Sequence, residues 1–319
     1  MVTKLQVQGA GKPTDYQRRK LILGIAAGLI PPAESLFAAP GKIITPAQSY
    51  MGARLLQRVN QTGMPEMRSD TFGAMTLFVF PTAVAATAMD IYIVDPGLGA
   101  LLRYDRMLDA LAVISGARVS QQSRLAALPD GSVILSNGNA IPATRYSRSG
   151  RIQQTINPQL GPAFFDDVVA DSNSGKFYGL DRVQGRLEEI MPHGRGGIVL
   201  PPGLLPDFPI AMAMDSQRLY VAGRACACVE AIDLFGSRGK STIADDFGNV
   251  MALAANDGWL VIADNAERQL RVYREGILLA EPDFSELKLV NPQGMAIANN
   301  RLYVADPGNR RIASFTLRP

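Results

Sequence analysis

Short runs of apolar and β-branched residues recur along most of the chain at a nearly constant spacing. Each run ends at an anchor position that is Asp, Asn or Gly, as the run Leu302–Ala305 ends before Asp306. The anchors are Asp95, Asn137, Asp181, Gly223, Asp264 and Asp306, and successive anchors are 42, 44, 42, 41 and 42 residues apart. An apolar residue follows each anchor at the sixth position, and an apolar or aromatic residue follows at the ninth. This spacing indicates a structural repeat of about 40–45 residues.

Each repeat is predicted to contain four strands. A run of small and β-branched residues such as Ala83–Ala85 precedes each anchor strand, which is typical of an inner strand covered on both faces. Because one four-stranded unit cannot bury both faces, the units are predicted to pack radially as an all-β, six-bladed β-propeller over residues 75–319. The last repeat lacks a fourth strand, and we expect residues 75–80 to supply it and so close the ring.

The sixth repeat contains a distinctive turn. Residues 302–312 read Leu-Tyr-Val-Ala-Asp-Pro-Gly-Asn-Arg-Arg-Ile. This stretch resembles the NHL repeat, in which a strand is followed by an Asp-x-Gly-Asn turn, an Arg and an apolar residue. The third repeat keeps Asp181 and Arg186, whereas the fourth has Gly223 and Cys228 at these positions. The resemblance implies an NHL-type propeller and no shared function, since one fold hosts many functions.

The N-terminal segment has the layout of an export signal. Residues 1–20 are basic, residues 21–30 are apolar, and small residues lead to Ala38. This arrangement predicts a signal peptide over residues 1–38 and a bacterial protein that is periplasmic or extracellular. The pair Arg18–Arg19 is similar to a twin-arginine signal, with the general secretory route and an uncleaved anchor as alternatives. The apolar stretch is too short to cross a bilayer, so we expect no transmembrane span after signal removal.

Residues 39–74 are predicted to form an arm with one amphipathic helix. Thr45–Gln48 fits a helix capping box, with Pro46 at the first helical position. The residues expected on its apolar face are Met51, Leu55, Leu56 and Val59. We expect this helix to pack on the propeller; the alternative is that it docks a partner or covers the channel.

The charge of the chain changes when the predicted signal is removed. Five of the 32 basic and two of the 29 acidic residues lie within residues 1–38, which leaves 27 of each in the mature chain. A neutral domain gives no electrostatic reason to expect a nucleic-acid partner.

One end of the predicted propeller gathers most of the candidate binding residues, because the turns after the anchor strands and the connections between blades meet there. The predicted binding face consists of Asp95, Asn137, Asp166, Asp167, Asp181, Arg182, Asp207, Arg224, Asp264 and Asp306. Phe164, Phe165, Phe208 and Phe247 either add to this face or pack between blades. Arg and aromatic residues are the usual anchors of protein interfaces.

The carboxylates of this face are also candidate metal ligands. The oxygen atoms of Asp95, Asp181, Asp264 and Asp306 suit Ca²⁺ or Mg²⁺, and gluconolactonase-like propellers offer a family precedent. The alternative is structural, since Asp and Asn are common in turns because they bond nearby backbone amides. The sequence requires no cofactor.

The chain has two cysteines and one histidine. Cys226 and Cys228 are two apart and so lie on the same side of a strand; they are free thiols, a local disulfide, or a redox, metal or intermolecular site. The single His193 is predicted to be a solvated turn residue, which disfavours a His-rich zinc site and a Ser-His-Asp triad.

These observations favour an exported binding or assembly module that holds a protein, peptide or glycan partner through its loop face. The alternative is a divalent-metal-dependent hydrolase or lyase acting on a small ester, lactone or sugar acid, with one carboxylate as general base. The sequence does not decide whether the protein is an enzyme, and a binding protein without enzymatic activity is the favoured interpretation.

Overall fold

Strands joined by tight turns account for nearly all of the chain that the structure describes. This computed structural model describes residues 42–59, 65–66, 75–114, 116–138, 142–156, 165–191, 196–216, 218–234 and 239–318. The predicted signal peptide, Phe164 and His193 lie outside these ranges. A short 3-10 helix spans Pro307–Asn309.

The N-terminal segment forms strands, so the predicted amphipathic helix is wrong. Its strands are β1 (Ile44–Tyr50), β2 (Gly52–Val59), β3 (Pro65–Glu66) and β4 (Met75–Leu77). Helix propensity is a weak prior, and here an unpaired sheet edge supplies backbone hydrogen bonds that a surface helix would leave unused. Pro46 lies at a register irregularity between Pro46 and Ser49, which suits a residue that cannot donate a hydrogen bond.

The remaining strands follow the predicted repeat and form blades of antiparallel strands. Blade 1 contains β5 (Ala83–Ala86), β6 (Asp90–Asp95), β7 (Ala100–Asp105) and β8 (Ala110–Ile114). Blade 2 contains β9 (Arg124–Ala127), β10 (Val133–Ser136), β11 (Ala143–Tyr146) and β12 (Ile152–Ile156). Blade 3 contains β13 (Asp167–Asp171), β14 (Lys176–Asp181), β15 (Arg186–Ile190) and β16 (Gly196–Leu200). Blade 4 contains β17 (Pro209–Asp215), β18 (Arg218–Gly223), β19 (Cys228–Asp233) and β20 (Lys240–Ala244).

Blades 5 and 6 complete the propeller. Blade 5 contains β21 (Val250–Asn256), β22 (Trp259–Asp264), β23 (Gln269–Arg274) and β24 (Ile277–Ala280). Blade 6 contains β25 (Gly294–Ala298), β26 (Arg301–Asp306) and β27 (Arg311–Leu317), with β1 as its outer strand. The all-β, six-bladed prediction is therefore confirmed.

The ring is closed by a strand other than the one predicted. β1 pairs antiparallel with β27, whereas the predicted strand over residues 75–80 instead contributes β4, which pairs with β2. β2 itself pairs in parallel with β8 at the outer edge of blade 1. β1 belongs to blade 6 and β2 to blade 1, so together they connect the last blade to the first. We call these two strands the strap. The expectation that an N-terminal strand completes the last blade is confirmed, and its assignment to residues 75–80 is wrong.

The core lies between the blades. Among the described residues, the buried apolar side chains form clusters that each combine two adjacent blades, and together they follow the ring. Trp259 is fully buried between blades 5 and 6, and its indole N–H donates to Asn300 Oδ1 at 3.1 Å. Packing of this kind holds each blade through both of its faces, as radial repetition requires.

Within the described part of the chain, no helix is long and apolar enough to cross a membrane.

Candidate functional site

The anchor aspartates hold the connections between blades. In blades 1, 5 and 6 the anchor carboxylate accepts backbone N–H groups of the residues 16 and 15 positions before it. These donors are Val79 and Phe80 for Asp95, Gly248 and Asn249 for Asp264, and Val290 and Asn291 for Asp306. The three carboxylates are fully buried. Each therefore fastens the incoming connection to the turn that follows its own strand.

Blades 2 and 3 vary this arrangement. In blade 3, Asp166 of the connection accepts the backbone N–H of Arg182 at 2.9 Å. Asp181 accepts the N–H of Gln184 and forms an ion pair with Arg186 at 3.4 Å. In blade 2, Asn137 accepts the hydroxyl of Ser123, and its amide group donates to the Arg118 carbonyl at 2.8 Å. The join between connection and turn is therefore kept in both blades, made by the anchor Asn137 in blade 2 and by Asp166 of the connection in blade 3.

The anchor carboxylates do not form a metal site as they are placed. Each belongs to a different blade, and its oxygens are engaged by the contacts just described. Among the residues that the structure describes, no group of three or more His, Cys, Asp or Glu side chains is arranged to hold a metal ion. The carboxylates of Asp95, Asp181, Asp264 and Asp306 therefore do not fit the Ca²⁺ or Mg²⁺ site expected from their residue types, and no chemistry is assigned to a cation here.

The central channel is lined by the inner strands of all the blades. Its wall is made mostly of small and apolar side chains, with Ser172 and Asn256 at the end opposite the binding face. The cavity along it has a volume of about 110 Å³. A space of this volume admits a few waters and no sizeable ligand.

The mouth of the channel on the binding face carries the polar side chains. A cavity of about 60 Å³ is lined there by Arg124, Asp167 and Gln293 among apolar neighbours. Asp167 is buried and accepts the backbone N–H groups of Val168 and Met212, at 2.9 and 2.8 Å, so it ties blade 3 to blade 4. Burial raises the pKa of the Asp167 carboxyl, although Arg124 and the two N–H groups oppose the shift.

A second group of side chains lies at the boundary of blades 3 and 4 on the same face. We define the blade 3–4 patch as Arg182, Val183, Asp207, Phe208 and Arg224, all of which are exposed. The side chain of Arg182 donates to the Ile210 carbonyl at 3.2 Å, and the backbone N–H of Arg224 donates to the Phe208 carbonyl at 3.0 Å. The two arginines therefore flank the connection that presents Phe208.

Phe208 is the most conspicuous member of this patch. Its side chain is 71% exposed, and its backbone has a φ of 52°. Left-handed backbone is uncommon for bulky residues, whereas Asn, Asp and Gly adopt it readily. Phe165 and Phe247, by contrast, are buried. The sequence left two alternatives for these phenylalanines, a place on the binding face or packing between blades. Phe208 lies on the surface, whereas Phe165 and Phe247 are packed in the interior.

Blade 4 has Gly223 at its anchor position and a disulfide at the turn that follows. Cys226 and Cys228 are joined, and Cys226 is exposed whereas Cys228 is 3% exposed. A Cβ atom at Gly223 would lie 2.7 Å from both Cys226 Sγ and Pro206 Cβ, so no larger residue fits the anchor position of this blade. Of the alternatives open from the sequence, the structure has the local disulfide.

The structure therefore separates the predicted binding face into groups. It places Arg182, Asp207 and Arg224 together with Phe208, whereas the anchors Asp95, Asn137, Asp181, Asp264 and Asp306 are committed to turns. Asp167 lies at the channel mouth. Arg124, Gln293 and Val183 were missed by sequence reasoning. Arg124 is detectable in principle, because it is a charged residue directly before the inner-strand run of its repeat.

Comparison with known proteins supports the fold. The chain matches no protein-family model and no curated protein sequence closely enough to establish relatedness. Solved structures do match. A gluconolactonase from Xanthomonas campestris has a TM-score of 0.57 at 13% identity, over 88% of this chain and 99% of that one.

Two further propellers match at a similar level. An inactive virginiamycin B lyase from Staphylococcus aureus, solved with quinupristin, has a TM-score of 0.56 at 12% identity, over 86% of this chain and 100% of that one. A nidogen/laminin complex gives 0.56 at 12% identity, over 77% and 96%. Identities this low show a shared six-bladed propeller fold, which hosts both enzymes and binding proteins.

Proposed function

We propose that this chain is an exported NHL-type propeller that binds a protein or peptide through the blade 3–4 patch. The observation that carries the proposal is Phe208, an aromatic side chain that is largely exposed on a left-handed backbone. Single exposed apolar residues are normal on protein surfaces. An aromatic ring held outwards at a conformational cost needs a further reason, and sparsely populated backbone conformations concentrate at functional sites.

The chemistry beside Phe208 indicates what its partner offers. Aromatic and Arg side chains contribute most of the binding energy at protein interfaces. Arg182 and Arg224 flank the connection that carries Phe208, and Asp207 is the one acidic member of the patch. A partner segment with an apolar side chain beside a carboxylate would therefore fill the patch and pair with an arginine. A glycan offers an apolar group less readily than a peptide does, so a peptide segment is the better match.

The disulfide supports export. Disulfides persist in oxidising compartments and are rare in the reducing cytosol. The pair Cys226–Cys228 therefore agrees with a signal peptide over residues 1–38 and with a periplasmic or extracellular location.

The test compares partner capture by matched variants. Processed protein is cross-linked in the exported fraction of its host, with wild type, Phe208→Ala and Ile277→Ala in parallel. Ile277 is a suitable control because it is 66% exposed and lies on the outer strand β24, away from the binding face. We expect wild type and Ile277→Ala to capture the same protein, and Phe208→Ala to weaken its binding by about tenfold or more. Equal binding by Phe208→Ala would contradict the proposal.

A stability measurement separates function from folding at the same position. Phe208→Gly removes the ring and also relieves the left-handed backbone, so we expect its free energy of unfolding to lie within about 1 kcal/mol of wild type. Loss of binding without loss of stability would show that Phe208 serves the partner.

A second candidate function rests on Asp167. A buried carboxyl with a raised pKa beside an arginine at a channel mouth is the kind of group that acts as a general acid or base. Hydrolysis or elimination of a small ester, lactone or sugar acid would use it. The test is a lactone and ester panel with added Ca²⁺ or Mg²⁺ and with chelator. Turnover that Asp167→Asn lowers by about a hundredfold would support this candidate, and no turnover by wild type would remove it.

A further inference from the structure

Blade 4 has a glycine at its anchor position and a disulfide at the turn that follows it. Elsewhere a side chain of the anchor or its connection joins the turn to the incoming connection, as Asp264 does in blade 5. In blade 4 the backbone makes this join: the N–H groups of Arg224 and Ala225 donate to the carbonyls of Phe208 and Asp207, at 3.0 and 3.5 Å. The two sulfur atoms instead link residues 226 and 228 to each other. The disulfide therefore does not fasten the connection.

A purely stabilising role is weak on chain-entropy grounds. The stabilisation from a cross-link grows with the number of residues in the loop that it closes. This loop contains only Ala227 between the two cysteines, so the cross-link constrains the unfolded chain very little. The ring also encloses a non-glycine residue with a φ of 48°. Residues at the same position of other repeats, such as Arg268 and Arg310, have the same left-handed backbone without a cross-link, so this conformation belongs to the turn and not to the disulfide.

The two cysteines differ in exposure. Cys226 belongs to the exposed turn over residues 224–227, whereas Cys228 begins β19 and is 3% exposed. Thiol–disulfide exchange requires in-line access to one sulfur, and exposed disulfides are the ones that exchange. Of the two cysteines, Cys226 is therefore the one on the solvent side, and Arg224 belongs to the same turn and is also exposed.

We propose that Cys226–Cys228 is a thiol–disulfide exchange site whose substrate is a dithiol peptide or protein. A substrate thiolate attacks Cys226 Sγ, the bond between Cys226 and Cys228 breaks, and its electron pair leaves on Cys228 Sγ, which takes a proton from water. The second substrate thiolate then attacks the substrate sulfur of the mixed disulfide and displaces the Cys226 thiolate. The substrate loses two electrons and forms a disulfide, and the chain gains two electrons as a dithiol. One chain oxidises one dithiol.

This proposal is independent of partner binding through Phe208, although the patch adjoins the turn. Phe208 and Arg224 share a backbone hydrogen bond, so a peptide seated on the patch would lie beside the exposed sulfur. Binding without exchange and exchange without binding are both measurable, and each function can fail alone.

The first test uses the folded wild-type chain with reduced glutathione as the probe, followed by acid quenching and alkylation. Peptide mapping then locates the adduct. We expect one glutathione on Cys226 and the alkylating agent on Cys228, with circular dichroism unchanged throughout. A disulfide that opens only at urea concentrations that unfold the chain would overturn the proposal. An adduct located on Cys228 would overturn the assignment of the attacked sulfur.

The second test uses single-cysteine variants with oxidised glutathione. Cys228→Ser keeps the exposed sulfur, and Cys226→Ser keeps the buried one. We expect Cys228→Ser to form its mixed disulfide at least about tenfold faster than Cys226→Ser, because the thiol of Cys226 is accessible. Equal rates in folded protein would contradict the proposed asymmetry.

Discussion

At the scale of single residues, the absence of a side chain at Gly294 allows the inner strands of blades 6 and 1 to lie close to each other. A Cβ atom at Gly294 would lie 2.8 Å from both Ala83 Cα and the Thr82 carbonyl oxygen. These are backbone atoms, which cannot rotate away as a side chain can. Glycine is therefore the residue that permits the close approach of β25 to β5.

We predict that Gly294→Ala destabilises the chain by about 2 kcal/mol or more, because the added methyl group forces the two inner strands apart. The matched control is Gly197→Ala in the outer strand β16, where the nearest atom to an added Cβ is Met191 Cε at 3.9 Å. Urea unfolding followed by tryptophan fluorescence measures both. If the two variants unfold alike, the contact at Gly294 does not limit the approach of the blades.

Asp167 supplies a prediction about pH. At about pH 2 the carboxyl is protonated in both the folded and the unfolded chain. Because its pKa is raised in the folded chain, the unfolded chain loses the proton more readily as pH rises, and the contribution of Asp167 to stability falls through the folded pKa. Asn cannot ionise. We therefore expect the stability of Asp167→Asn relative to wild type to increase between about pH 4 and pH 7.5 in urea titrations.

A decrease in the stability of Asp167→Asn relative to wild type over the same pH range would have a distinct meaning. It would show that the N–H groups of Val168 and Met212, together with Arg124, stabilise the Asp167 carboxylate more than burial opposes it. Sequence reasoning could place Asp167 on the binding face, because its position in the repeat is known. It could not give the burial, since that depends on how closely neighbouring blades approach.

At the scale of elements, the anchor turns hold the blades to their connections. Asp264 accepts backbone N–H groups from Gly248, Asn249, Ala266 and Glu267. We predict that Asp264→Ala destabilises the chain by about 3 kcal/mol, because buried N–H groups lose their acceptor. Asp207→Ala, which removes an exposed carboxylate from the same face, is expected to change stability by less than about 0.5 kcal/mol. Thermal unfolding distinguishes them, and similar midpoints would contradict a structural role for the anchor.

The strands of the blades were predictable, and the strap was not, for one physical reason. A strand such as β26 is specified by a pattern that recurs in every repeat, so each copy supports the others. β1 and β2 occur once, and their sequence also satisfies local rules for a helix, with Pro46 and Gln48 in capping positions. Their conformation is set by the free edges of β27 and β8, which local sequence does not report. The disulfide was not predictable either, because two cysteines on the same side of a strand are equally compatible with free thiols.

At the scale of the whole molecule, the strap joins the last blade to the first. Ile44 packs with the cluster between blades 5 and 6, and Tyr50 and Ala53 pack between blades 6 and 1. We predict that deletion of residues 1–50 lowers the thermal midpoint by on the order of 10 °C or more and promotes association, because β27 gains an open edge. Deletion of residues 1–38 is the control, and its midpoint should match that of the processed protein. Equal midpoints for the two deletions would show that β1 does not close the ring.

The pairing of β1 with β27 also determines when the fold can be completed. Ile44 lies opposite Leu317, so the sheet of blade 6 needs residues from both ends of the chain. A growing chain can assemble its early blades as they emerge, yet it stays an open arc until β27 has left the ribosome. Contacts between such distant residues form late and slowly. A chain that is cut short before β27 therefore remains an open arc for its whole lifetime.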